Sequence, residues 1–326
     1  MIPPFFLRQL LSTSRRALMP AEKHRQGTRL PGRETLLAQS PAKRSTRVTI
    51  CLLLLVVAGS SSLAVSAENR VTRFVRFRSG DTIAYGILEG ETIRQISGDL
   101  FGQWKPTGAT HRLADVKLLV PTRPSKVLAL AGNYRSHLAD KPAPAHPEIF
   151  FKVPSCLIAD GESVVLPEGA DPVHYEGELV IVIGRRAKHV PVDGALDYVF
   201  GVTCGMDISA RKWQKNDVQW ARAKASDTFG PCGPVIARGL DYGNLHLQLR
   251  QNGEVKQDQR TSSMVHGIAE TVSWASRFFT LEPGDLIYTG TPGTTEAIHP
   301  GDRLEVELEG VGVLHSRVVA ATAASQ

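Results

Sequence analysis

Cysteine is scarce, with four residues in 326: Cys51, Cys156, Cys204 and Cys232. No C-x-x-C pair and no Cys/His spacing occurs, which argues against a zinc module or a dithiol redox centre. Cys51 falls in a basic leader, and the odd three that remain are expected as small buried residues. Cysteine therefore does not define the compartment. Net positive charge is likewise lacking once the N-terminus is set aside. The formal net charge is +6, but residues 1–47 hold ten Lys/Arg against two Glu, so the remainder is about −2. A pI of 9.2 thus describes the leader and not a folded surface. No basic stripe is interleaved with aromatics, and no nucleic-acid partner is expected.

What is present begins with that leader. Val48 to Ala67 is uncharged, has its apolar centre at Ile50–Ala58 and ends in small residues before Glu68. A basic region, a short apolar run and a small-residue cleavage point read as a secretory signal peptide, with translation starting at Met1 or Met19. An uncleaved membrane anchor is the alternative, because Gly59 and four serines dilute a run that needs roughly 20 apolar residues to span. An organellar transit peptide is the third reading. Either of the first two exports the domain, and this segment would be the chain's only contact with a membrane. Three segments are expected: the leader over 1–67, a small N-terminal β subdomain over 68–124 and a catalytic domain over 125–326.

An apolar content of 42% is ample for a core. Val71–Arg78, Thr82–Leu88 and a third short run after Glu89-Gly90-Glu91 alternate as strands do, which predicts a small meander serving as a lid or an oligomerisation piece. Val127–Ala131, Val199–Cys204 and the region around Gly233–Ile236 read as further strands. Asn252-Gly253 signals a hairpin, Trp213–Ala223 is moderately helical, and Ser263–Phe279 has one apolar helical face.

The stretch of most chemical interest is Tyr175-Glu176-Gly177-Glu178, leading into the apolar run Leu179–Ile183. Strand alternation points Glu176 and Glu178 the same way. Two adjacent carboxylates repel unless a cation sits between them, and an oxygen-only donor set suits Mg²⁺, Mn²⁺ or Ca²⁺. Taken alone, E-x-E reads first as an edge strand with two solvated acids, and Glu305-Val306-Glu307 is a second copy with no carboxylate partner. Asp207, at the end of another strand, can complete a three-carboxylate set for the first copy. Upstream, Tyr134–Asp140 can form one or two helical turns with His137 and Asp140 on one face. That pair reads first as a surface ion pair, but a carboxylate beside an imidazole also raises its basicity toward water.

Together these residues resemble a family. Gly132-Asn133-Tyr134 with His137, Phe151-x-x-Pro154-Ser155, Glu176-Gly177-Glu178-Leu179, Asp207-x-Ser209-Ala210-Arg211, Lys224-x-x-Asp227-Thr228-Phe229, Pro283-Gly284-Asp285 and Thr289-Gly290-Thr291-Pro292 occur in the order seen in the fumarylacetoacetate hydrolase family. The resemblance runs from about Val71 to Val319. It implies a mainly β fold with some α, a mixed β-sandwich roll with a small N-terminal meander, usually as a homodimer. It implies Mg²⁺ or Mn²⁺, with Ca²⁺ as the alternative, held by Glu176, Glu178 and Asp207. Lys224 would add positive charge beside an enolate, and Arg211, Gln214 and Thr291 would hold a substrate carboxylate. Family hydrolases usually carry His-x-x-Glu on the lid; Asp140 is one methylene shorter, so the dyad forms only if the backbone comes closer. The implied activity is hydrolysis of an acylpyruvate-type C–C bond or decarboxylation of an oxaloacetate-type acid. Isomerisation, tautomerisation or hydration of a hydroxydienoate is the same-fold alternative, and an exported binding module without turnover is the reading from another class.

Overall fold

The structure is a computed structural model that describes residues 71–321. The leader over 1–67, Cys51 and the cleavage point before Glu68 lie outside the described residues. Among the described residues no helix is long and apolar enough to cross a membrane.

Strands form where the sequence alternates or runs apolar. The first four, β1 (Thr72–Ser79), β2 (Thr82–Glu89), β3 (Thr92–Gly98) and β4 (Trp104–Arg112), make an antiparallel meander. They are followed by β5 (Lys117–Leu118), β6 (Val127–Ala131), helix α1 (Arg135–Leu138), β7 (Glu148–Lys152), β8 (Leu157–Ile158), β9 (Ser163–Leu166) and β10 (Val173–His174). The E-x-E stretch opens β11 (Gly177–Ile183). Next come β12 (Val199–Met206), β13 (Ser209–Ala210), α2 (Arg211–Asn216), α3 (Ala221–Ala225) and β14 (Gly230–Arg238). The fold closes with β15 (His246–Gln251), β16 (Glu254–Arg260), α4 (Ile268–Phe278), β17 (Leu286–Tyr288), β18 (Arg303–Leu308) and β19 (Gly312–Ala320).

One large sheet runs β4-β3-β2-β1-β14-β12-β11-β17-β6-β7, with β5 on β1 and β8 on β14. A second runs β16-β15-β18-β19-β9. Both are mixed, because β17 pairs with β6, β8 with β14 and β9 with β19 in parallel while their other pairs are antiparallel. The expected mainly β, mixed architecture is what the structure has. Leu179 and Ile181 of β11 share one core with Leu247, Leu249, Val306 and Leu314 of the second sheet. Val180 and Val182 face the opposite way, into a core with Val127, Ala129, Leu286 and Tyr288. Burial on both faces is why this strand reads as a continuous apolar run.

Two helical expectations are refined. Trp213–Ala223 splits into α2 and α3, because the backbone turns extended at Asp217, whose carboxylate grips Arg222 at 2.6 and 2.7 Å. The amphipathic stretch from Ser263 becomes helical only at Ile268, since Val265 N–H and His266 N–H are taken by the carbonyl and side chain of Asn133. Asn252-Gly253 makes the expected hairpin, with φ of 56° and 85°. Cys156, Cys204 and Cys232 are buried and unbridged, as their composition suggested.

Candidate metal centre and active site

Strand register assembles the acids. Gly177 pairs with Met206 and Glu178 with Gly205, which sets the start of β11 beside the end of β12. Asp207, one residue past β12, donates its N–H to the Glu176 carbonyl at 2.9 Å. Carboxylate oxygens of Glu176, Glu178 and Asp207 consequently lie within 4.8 Å of one another. All three side chains are buried.

Three cations face them. Lys224, from α3, donates to Glu176 Oε2 at 2.5 Å and Asp207 Oδ2 at 2.7 Å. Arg211, from the start of α2, gives Nη2 to Glu176 Oε1 and to Thr295 Oγ1, each at 2.7 Å, and Nη1 to Gln214 Oε1 at 2.9 Å. Lys152, which ends β7, reaches Asp207 Oδ1 at 2.7 Å. Among the described residues Glu178 makes no ion pair; its hydrogen-bond donor there is the Gly290 N–H, 2.7 Å from Oε2. Gly290 has φ 91°, and a Cβ there would lie 2.9 Å from Asn133 Cβ, so only glycine lets the backbone come this close.

The two glutamates are pushed apart in acidity. Burial opposes the charge of Glu176, but Lys224 and then Arg211 outweigh it and hold the carboxyl well below the ordinary range. Burial, then Asp207 and Glu176, drive Glu178 well above that range. Burial draws Lys224 down, yet Asp207 and Glu176 more than offset it and keep the ammonium charged. A buried carboxyl lacking a cation, beside two others, is the arrangement a hard divalent ion relieves, and the donor set is all oxygen. These residues fit such an ion, with Glu176, Glu178 and Asp207 as its holders.

A cavity of about 190 Å³ opens at Glu176 of the cluster, lined also by His137, Phe150, Arg211, Gln214, Trp220 and Lys224 among others. That is small beside the 300–1,000 Å³ of pockets for drug-sized ligands and suits a small acid. Larger clefts by Arg185 and Arg238, and by Gly310 and His315, contain none of the three carboxylates. His137 is fixed by the Gly293 carbonyl, 2.6 Å from Nδ1, and its Nε2 lies 4.0 Å from Glu176 Oε1. A carbonyl only accepts, so Nδ1 donates, and Nε2 is the ring nitrogen turned toward the cluster.

The structure does not bring Asp140 to His137. Helix α1 ends at Leu138 and Ala139 takes φ 48°, so the i, i+3 face is never completed. Asp140 is exposed, with no hydrogen bond or ion pair among the described residues. Thr291 borders the cavity, but its hydroxyl is committed to the Gly177 carbonyl at 2.9 Å, and Thr289 Oγ1 likewise holds the Leu179 carbonyl at 2.8 Å. The Thr289-Gly290-Thr291 turn therefore grips the E-x-E strand, and the anion its backbone meets is Glu178. Glu305 and Glu307, the second E-x-E, hold Arg250 at 2.8 and 2.9 Å.

Sequence reasoning passed over Lys152 and Gln257, and it quoted Asn133 in a motif without giving it a role. Gln257 accepts from Gly177 N–H at 2.9 Å and donates to Thr291 Oγ1 at 2.9 Å. Asn133 donates to the carbonyls of Thr289 and His266. Neither carries a local signal. Lys152 does, since a lysine closing the apolar run Ile149-Phe150-Phe151 calls for a buried partner.

Residues 126–319 match the fumarylacetoacetate (FAA) hydrolase C-terminal family, and residues 72–121 match the Rv2993c-like N-terminal family. Protein Rv2993c of Mycobacterium tuberculosis is 44% identical over 259 residues, covering 76% of this chain and 98% of that protein. Bovine mitochondrial oxaloacetate tautomerase FAHD2A is 38% identical over 221 residues, covering 63% of this chain and 70% of that protein. Among solved structures, a 2-hydroxyhepta-2,4-diene-1,7-dioate isomerase from Mycobacterium marinum superposes with a TM-score of 0.72 at 43% identity, over 76% of this chain and 98% of that one. A maleylpyruvate hydrolase from Sphingobium sp. SYK-6, in complex with manganese(II) and pyruvate, gives 0.64 at 30% identity, over 77% of this chain and all of that one. The last three of these are enzymes of different reaction types acting on small molecules. With more than half its length matched by the family and Glu176, Lys224 and the lid histidine lining one cavity, the chain belongs to the fumarylacetoacetate hydrolase family.

Proposed function

We propose that this chain is a divalent-metal-dependent enzyme of 2-oxo acids whose reaction is a proton shift, a tautomerisation or isomerisation passing through an enolate. The observation that carries this reading is the lid histidine, whose Nε2 faces the acid cluster 4.0 Å from Glu176 Oε1 while Asp140 stands apart from it. A lone imidazole suits proton transfer at carbon; activation of water would draw on the missing carboxylate. Glu176, Glu178 and Asp207 would hold Mg²⁺ or Mn²⁺, with Ca²⁺ as the alternative, and the bound ion supplies Lewis acidity toward the oxo-carboxylate end.

The chain's own residues account for the remaining steps. Arg211 and Gln214 orient the carboxylate at the cavity wall. Lys224, kept charged by Glu176 and Asp207, stabilises negative charge growing on the 2-oxygen. His137 Nε2 takes the proton from carbon 3 and returns it to oxygen, or to a distal carbon of a dienoate, so no atom is gained or lost. The Gly293 carbonyl accepts from Nδ1–H throughout and steadies the transient imidazolium. Phe150 and Trp220 wall the cavity against water.

Hydrolysis of an acylpyruvate-type C–C bond, or decarboxylation, is the second reading, favoured by the likeness to the maleylpyruvate hydrolase. With Mn²⁺ present, the decay of enol-oxaloacetate absorbance and the cleavage of an acylpyruvate separate the two. Faster ketonisation with negligible cleavage is expected. Efficient cleavage without effect on the enol would replace the first reading with the second, and failure to bind Mn²⁺ would remove both.

A further inference from the structure

Lys152 is a buried charge that the proposed chemistry leaves unused. Its side chain has no solvent exposure. Its ammonium donates to Asp207 Oδ1 at 2.7 Å, to the Phe229 carbonyl at 3.1 Å and to the Lys224 carbonyl. An ammonium has three donors, so all are spent and none is left for a substrate. It does not line the cavity. Burying a lysine is costly where an apolar side chain would fill the same space, so its presence needs an electrostatic reason.

The partners supply one. Asp207 is held from both sides, Oδ1 by Lys152 and Oδ2 by Lys224, which fixes the plane of its carboxylate. Three carboxylates meet three cations here, Lys152, Lys224 and Arg211. Without Lys152, Asp207 Oδ1 would lose its cation in a place its side chain shares with almost no solvent.

We propose that Lys152 is a positioning residue and the standing counter-charge of Asp207: it keeps the three-carboxylate cluster assembled without metal and restrains the cluster's affinity for the cation. This rests on the reading that Glu176, Glu178 and Asp207 take a divalent ion. Its consequence is an ion site that survives loss of its ion, and an ion that exchanges.

The full-length Lys152→Met, Asp207→Asn and doubly substituted proteins decide the matter by thermal unfolding in EDTA and calorimetric titration with Mn²⁺. In EDTA Lys152→Met should melt on the order of 10 °C below wild type, because it strands a buried carboxylate. Added Mn²⁺ should restore most of that loss and bind about tenfold tighter than to wild type, since a neighbouring positive charge is gone. Adding Asp207→Asn to Lys152→Met should raise the EDTA melting temperature, although it removes a ligand. A lysine that merely filled space would give weaker Mn²⁺ binding and no rescue, and either result overturns the proposal. Should Lys152→Met be insoluble without metal, solubility of the doubly substituted protein supports the proposal and its insolubility overturns it. Absence of Mn²⁺ binding to wild type would defeat the metal reading alone, while the EDTA comparison still judges the counter-charge.

Discussion

Replacing Glu178 with glutamine should strengthen the metal-free protein while destroying its ion site. Glutamine keeps the volume and an oxygen for the Gly290 N–H, and it removes one charge from a cluster whose ligand oxygens lie within 4.8 Å. At that separation and an effective dielectric of about 20, each like-charge pair costs roughly 3 kcal/mol. Glu178 has two such neighbours, Glu176 and Asp207, partly offset by Lys224. A net gain of about 2 kcal/mol is therefore expected, or roughly 4–8 °C in melting temperature for a unit of this size. The pH dependence carries a sign. Because Glu178 is raised, the folded state holds its proton more tightly than the unfolded chain; that stabilisation is complete below the ordinary value of 4.5 and lost as pH rises through the folded value. Glu176 is lowered, so its contribution is complete above 4.5 and lost only as pH falls. Loss of metal-free stability above that pH thus traces to Glu178, and Glu178→Gln should flatten it. Melting curves in EDTA from pH 4 to 8, with Mn²⁺ calorimetry, provide the check. Glu307→Ala, on the second E-x-E, should bind Mn²⁺ as wild type does. A Glu178→Gln protein that melts lower in EDTA at neutral pH, or that keeps wild-type Mn²⁺ affinity, would refute the reasoning.

His137→Ala should lower turnover on the order of 10²–10⁴-fold with Mn²⁺ affinity retained, whereas Asp140→Ala should change it by less than about twofold, because Asp140 has no partner among the described residues. Equal losses in steady-state kinetics would show that the lid closes into the dyad. Gly205→Ala would place a Cβ 2.4 Å from Val180 Cγ2 and 2.6 Å from Tyr288 Cε1, opposite Glu178 in the ladder. A destabilisation of about 1–3 kcal/mol by chemical denaturation is expected, and an unchanged midpoint would contradict the packing. We further propose that the mature chain begins near Glu68 outside the cytoplasm; N-terminal sequencing of protein from the native host would disprove it by finding residues 20–60 intact in the cytosol.

The sequence by itself determined the strands, and for a physical reason. Alternation in β1 and β2, the apolar run of β11 and the Asn252-Gly253 turn are local patterns, each dictated by side-chain geometry within a few residues. It also marked Glu176 and Glu178 as sharing a face, since period-two geometry needs no partner. What it could not decide was which charges meet. Two E-x-E pairs look alike in sequence, yet one ends beside Asp207 and Lys224 in a buried cluster while the other takes Arg250 near the surface. Lys152 and Asp207 stand 55 residues apart and Glu178 and Gly290 stand 112 apart, contacts created only when β11, β12, β17 and β6 line up. The His137–Asp140 pairing failed for the converse reason: a local spacing rule assumes a continuing helix, and the backbone at Ala139 leaves helical geometry before Asp140 is reached. Local geometry writes elements into sequence, but the balance of buried charge is a property of the assembled sheets, and here only tertiary structure decided it.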